Sequence, residues 1–116
     1  GSATSTGTIL GSPSYMAPEQ FAGGKVEGTA DLFSLGVTFY QLLTGQLPFS
    51  GDNVAQLAYQ ISQARHADVR RLRPELPASA SRIINKALAK KPGERFQSGR
   101  EMAEALRRGM PRRKTG

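Results

Sequence analysis

A chain of 116 residues holds one small domain at most. It has no Cys and a single His, His66, which excludes a disulfide framework, a thiol nucleophile, a thiolate zinc site and a multi-His metal centre. The net charge of +7 sits largely at one end: Arg107, Arg108, Arg112, Arg113 and Lys114 fall within residues 107–116 beside no acid, and the rest of the chain is nearly balanced. No aromatic residue interrupts that run, so it reads as a solvated basic tail (109–116) rather than a specific nucleic-acid binder.

Residues 1–14 are mostly Gly, Ser, Thr and Pro and read as a loop or arm. From Leu32 to Gly51 there is no charged residue, but Gly36, Gly45 and Pro48 break the run too often for a membrane span. Leu32, Phe33, Leu35, Val37, Phe39, Tyr40, Leu42 and Leu43 point all round a helical wheel. They predict a helix over 30–44 buried on every side, capped by Thr29 and ended by Gly45. Asp52 is expected to cap a helix over 53–64, with Val54, Leu57, Ala58 and Ile61 on one face. Residues 65–78 form a basic, Pro-containing connector. Ser79 is expected to open a helix over 80–90, with Ile83, Ile84, Ala87 and Leu88 inward and Pro92 as its stop. Ser98-Gly99-Arg100-Glu101 is a capping box for a last helix ending near 108. No strand alternation of useful length occurs. The expected fold is mainly α, with four to five helices around a buried central one.

Four motifs occur in order. Gly11-Ser12-Pro13-Ser14-Tyr15-Met16-Ala17-Pro18-Glu19 resembles the end of a protein-kinase activation segment. Asp31-Leu32-Phe33-Ser34-Leu35-Gly36-Val37 resembles the start of that family's central helix, and Leu43-Thr44-Gly45 with Pro48-Phe49 resembles its end. Lys91-Pro92 with Arg95-Phe96 resembles the turn before its last helix. Together they cover about residues 4–108, and the details resemble bacterial, eukaryotic-like Ser/Thr kinases. The family usually has Thr where this chain has Ser12, which keeps the hydroxyl. The resemblance implies the helical lower part of the kinase C-lobe. Residues 1–19 would be the end of the activation segment, 20–108 the helical subdomain.

The same resemblance implies roles. Gly11, Ser12 and Tyr15 would shape the substrate loop, with Ser12 reaching toward the catalytic Asp and Lys. Ala17, Pro18 and Glu19 would end the segment, and Glu19 would pair with Arg95. Asp31 would accept backbone N–H bonds from the catalytic loop. Thr4 and Thr6 are candidate phosphorylation sites. The intact kinase would use ATP and Mg2+ on a protein substrate. The Gly-rich loop, strand Lys, catalytic Asp and metal-binding Asp have no place in this sequence, so the chain is expected to bind no cofactor and to be inactive alone. Its partners would be a protein substrate, the missing remainder of the kinase domain and, through uncovered apolar surface, a second copy as a dimer. The expected location is cytoplasmic, with a membrane-anchored parent compatible. The alternative is a pseudokinase-derived helical module that docks partners without catalysis.

Overall fold

The computed structural model describes residues 12–109. Among the described residues six helices follow one another: α1 (Pro18–Ala22), α2 (Gly28–Thr44), α3 (Val54–Gln63), α4 (Val69–Leu72), α5 (Ala78–Ala87) and α6 (Gly99–Gly109). One 3-10 turn, Pro13–Tyr15, precedes α1, a second, Pro92–Glu94, lies between α5 and α6, and no strand occurs among the described residues.

The long helix α2 organises the rest. It begins at Gly28, so Thr29 lies inside it rather than capping it, and Glu27 holds the capping position in extended backbone. Asp31 stands in its first turn, where a negative charge suits the helix dipole. It ends at Gly45 in the left-handed region, φ +77, whose N–H closes on the Gln41 carbonyl at 2.8 Å. A side chain in that conformation costs roughly 1 kcal/mol or more. Phe33, Val37 and Tyr40 are fully buried. Gly36 lets α5 approach closely: a Cβ there would come within 2.7 Å of the Ala87 Cβ. Phe33 stacks on Phe49 with ring centres 6.2 Å apart. A second cluster, Leu32, Ile83, Ala87, Phe96 and Met102, seats α6.

The expectation of burial all round α2 fails on one side. Leu35 is 40% exposed and Leu42 74%, with half-buried Phe39 between them. Spaced i, i+4 and i+7, these three share one face. The bundle that covers Phe33, Val37 and Tyr40 leaves the outer edge of that face open.

Other helix ends move by one to three residues for local reasons. At α3 the cap is Asn53, not Asp52: its side-chain oxygen accepts from Gln56 N at 2.8 Å, and Gln56 reaches back to Asp52 N. The connector contains α4, a single turn capped by Asp68 on Arg70 N and anchored by buried Val69. Pro77, not Ser79, precedes α5, which stops at Ala87 instead of 90. The carbonyls of Ala89 and Lys90, outside the helix, bond Arg95 instead. In α6, Ser98 Oγ accepts from Glu101 N at 3.0 Å, while the Glu101 carboxylate accepts from Gln97 N one residue outside the expected box. No described helix is long and apolar enough to cross a membrane.

Candidate functional site

The segment from Ser12 to Ala22 is short of regular structure, so side chains must hold it. Pro13 begins a 3-10 turn, and Ser12 Oγ caps it by accepting from Ser14 N at 3.3 Å. Ser12 itself is exposed. Tyr15 is fastened to α2 at both ends. Its hydroxyl donates to Gln41 Oε1, and its carbonyl accepts from Ser34 Oγ. Ala17 is fully buried, and its N–H donates to Gln20 Oε1 at 2.8 Å. Pro18 then starts α1 at a position that needs no N–H.

Glu19, in the first turn of α1, meets Arg95 from the turn before α6. Nη1 donates to one carboxylate oxygen at 2.7 Å and Nη2 to the other at 2.8 Å, a planar two-bond fork. The Arg95 side chain is wholly buried and that of Glu19 is 13% exposed. The remaining guanidinium N–H groups donate to the carbonyls of Ala89, Thr29 and Lys90 at 2.7, 3.2 and 3.0 Å. All five donors are therefore used, so the buried charge leaves no donor orphaned. Its face lies over the Phe33 ring, 4.9 Å from the centroid. The Arg95 bond holds the Glu19 carboxyl below its ordinary 4.5, against a smaller opposing push from burial.

The structure thus brings Glu19 to Arg95, and ties Tyr15 and Ala17 to α2 and α1. Asp31 stands exposed and enters no ion pair among the described residues. Gly11, Thr4 and Thr6 lie outside the described residues. Sequence reasoning missed Ser34, Gln41 and Gln20, which do the fastening. A signal existed: Ser34, Thr38 and Gln41, at i, i+4 and i+7, draw a polar stripe along a helix otherwise read as apolar. His66 lies in the connector before α4. It sits edge-on to Tyr40 and Phe49, with Nε2 2.7 Å from Asn85 Oδ1.

A loop pinned to a rigid helical base, with a buried Arg–Glu fork beneath it, can present a surface to another chain. Among the described residues no three His, Asp or Glu side chains are grouped to hold a metal ion. The donor set does not fit a magnesium–nucleotide site.

The protein kinase domain model matches residues 1–107, and the chain belongs to the protein kinase family. Over 99 residues it is 37% identical to serine/threonine-protein kinase PrkC of Bacillus subtilis, which covers 85% of this chain and 15% of that protein. It is 40% identical over 112 residues to serine/threonine-protein kinase PknB of Mycolicibacterium smegmatis, covering 90% of this chain and 17% of that protein. Tyrosine-protein kinase MasK of Myxococcus xanthus is 41% identical over 103 residues, covering 89% and 16%. The chain spans less than a fifth of the length of these curated relatives. Its described part is the helical portion of a kinase domain, and kinases of this family use ATP and Mg2+.

Proposed function

We propose that this chain is the substrate-loop and helical-base portion of a bacterial-type Ser/Thr protein kinase catalytic domain, and that it transfers no phosphate by itself. The observation that carries the reading is the anchored loop. Ser12 to Ala17 is fixed to α2 through Tyr15, Ser34 and Gln41, and α1 is locked below it by Glu19 and Arg95. A loop held this way keeps its shape while a peptide binds, which is the positioning part of phosphoryl transfer. The electrostatic part needs the kinase's Gly-rich loop, strand Lys, catalytic Asp and metal-binding Asp, which have no place in this sequence.

Within such a domain, Gly11, Ser12 and Tyr15 shape the site that meets the protein substrate, and Ser12 faces the catalytic groups. Asp31, exposed at the start of α2, accepts backbone N–H groups of the catalytic loop. Thr4 and Thr6 receive regulatory phosphate. Leu35, Phe39 and Leu42 seat the remainder of the kinase domain, and without it they favour self-association. The location is cytoplasmic. Named relatives of both Ser/Thr and Tyr type resemble this chain at similar identity, and the Ser/Thr assignment rests on the loop sequence Gly11-Ser12-Pro13-Ser14-Tyr15.

A chimera tests this. The upstream part of the Bacillus subtilis relative's kinase domain is joined to this chain, and phosphate transfer from ATP with Mg2+ to a general protein substrate is measured. The chimera is expected to label Ser or Thr, and this chain alone to give no transfer above buffer. Transfer by the chain alone, or labelling of Tyr only, overturns the reading.

A further inference from the structure

Where the C-terminal end of α3 faces that of α5, the surface opens into a cavity of about 610 Å3. That is within the size range of small-ligand sites. Tyr15, Glu19 and Arg95 do not line it, and it touches the anchor only through Ala89 and Lys90, whose carbonyls accept from Arg95. Its polar groups are unevenly committed. Asp68 is engaged from within the fold, accepting from Arg70 N at 2.9 Å, Ser81 Oγ at 2.5 Å and Asn85 Nδ2 at 3.5 Å. Arg65 and Arg71 are exposed and enter no ion pair among the described residues. Lys90 is half-buried, with Nζ on the Ile61 carbonyl at 2.5 Å and 4.1 Å from the Phe49 ring centre, and it too has no carboxylate partner. Three cations without an ion-pair partner among the described residues therefore line one cavity, against two carboxylates: Asp68, whose donors are all neutral, and the exposed Glu94.

The geometry points to a phosphoryl-binding site in this cavity, with Arg65 and Arg71 taking the phosphate oxygens from its edge and Lys90 facing them from its wall. A phosphate monoester presents three terminal oxygens and up to two charges, which matches two planar forks and one ammonium. A carboxylate offers two oxygens and one charge, fewer acceptors and less charge for the same three cationic groups. Free inorganic phosphate and a phosphorylated protein side chain carry the same chemistry.

The site's pH response follows from the groups that face it. Burial lowers Lys90 to about 8 and, more than any other cause, pushes His66 below 6.5. The other charged groups that face it are Arg65, Arg71, Glu94, Asp68, whose carboxyl the Ser81 hydroxyl bond holds below its ordinary value, and Arg95 behind Lys90. A bound dianion favours the protonated form of Lys90, so binding takes up protons and tightens as pH falls from about 9 to about 7.

The test is an amide chemical-shift titration of the labelled protein at fixed ionic strength, with inorganic phosphate, a phosphothreonine peptide and acetate as probes. A phosphoryl site gives saturable shifts confined to 65–71 and 85–94 for phosphate, for the peptide or for both, with acetate weaker. Saturation by the peptide alone assigns a protein side chain as the source, and saturation by phosphate assigns the free anion. Affinity should rise severalfold between about pH 9 and about pH 7. Arg65→Gln with Arg71→Gln should weaken it about tenfold with the melting temperature unchanged, because both side chains are exposed. Shifts that scatter along the chain, acetate binding as tightly as phosphate, an affinity flat with pH, or full affinity in the double variant each overturn the proposal.

Discussion

Arg95 and Lys90 lie five residues apart and both leave bulk water, yet they meet opposite fates. Arg95 is completely buried and carries its charge against a carboxylate, with all five N–H groups bonded. Lys90 is only half-buried, has two main-chain carbonyls and an aromatic face for company, and is pushed down to about 8. Depth of burial alone does not decide what a buried cation costs. What decides it is whether a full negative charge comes with it. The planar guanidinium can divide its donors between Glu19 and three carbonyls. The compact ammonium has only partial charges within reach, and these do not offset the water it lost.

Removing the counter-charge is the largest test of that contrast. Glu19→Ala leaves a buried guanidinium facing its three carbonyls and nothing else, and about 3–5 kcal/mol of stability should be lost. Arg95→Ala should cost a similar amount. A double-mutant cycle by denaturant melting should give losses far from additive, and additive losses would mean that the two side chains do not interact. Arg95→Lys keeps the charge but removes the fork. Two or more hydrogen bonds to a charged group disappear, so a loss of roughly 2–3 kcal/mol is expected. A lysine that restores full stability would show that charge, not geometry, holds α1 to the base.

Acid titration separates the pair from the rest of the fold. Glu19 is ionised more readily when folded than at its ordinary value of 4.5. Its contribution is therefore complete above about pH 4.5 and fades as pH falls through the lower folded value. His66 acts with the same sign higher up: its folded value lies below 6.5, so its share of stability is lost as pH drops from 6.5 toward that value. Melting temperatures in Glu19→Gln and His66→Phe should each lose one of these two steps and keep the other.

Why was one member of the comparison readable in the sequence and the other not? The helices were readable because apolar residues recur at helical spacing, as Ile83, Ile84 and Ala87 do in α5. Helix ends were less so, since a cap depends on which of two adjacent residues, Asp52 or Asn53, turns its oxygen inward. The turn α4 is too short to show a period. Glu19 and Arg95 are 76 positions apart, and no local rule joins them. They came together through family resemblance alone. No local rule gives Lys90 a role, and its surroundings are assembled from the end of α3 and Phe49. Uncovered apolar surface is expected from the wheel, whose large side chains cannot all face three helices, but that it falls at Leu35 and Leu42 depends on what the other helices fail to cover.

The smallest effect belongs to Lys90 and bears directly on the contrast. Its ordinary value is 10.5, and when folded it is about 8. Between those two values the unfolded chain holds a proton there that the folded chain does not. Unfolding then takes up protons, so this group makes the protein more stable as pH rises from about 8 to about 10.5. Below about 8 both states are protonated and the folded one bears the full cost of a desolvated ammonium. Lys90→Met keeps much of the side chain's volume and its contact with Phe49 while deleting the charge and the bonds to Gln60 and Ile61. The lost bonds and the removed desolvation oppose each other, so the change at neutral pH should be within about 1 kcal/mol. The alkaline rise, however, should vanish in the variant. Chemical denaturation at several pH values from about 7 to about 10.5 measures it. If the wild type shows no more rise than Lys90→Met, the ammonium is solvated after all, and the difference between the two cations reduces to depth.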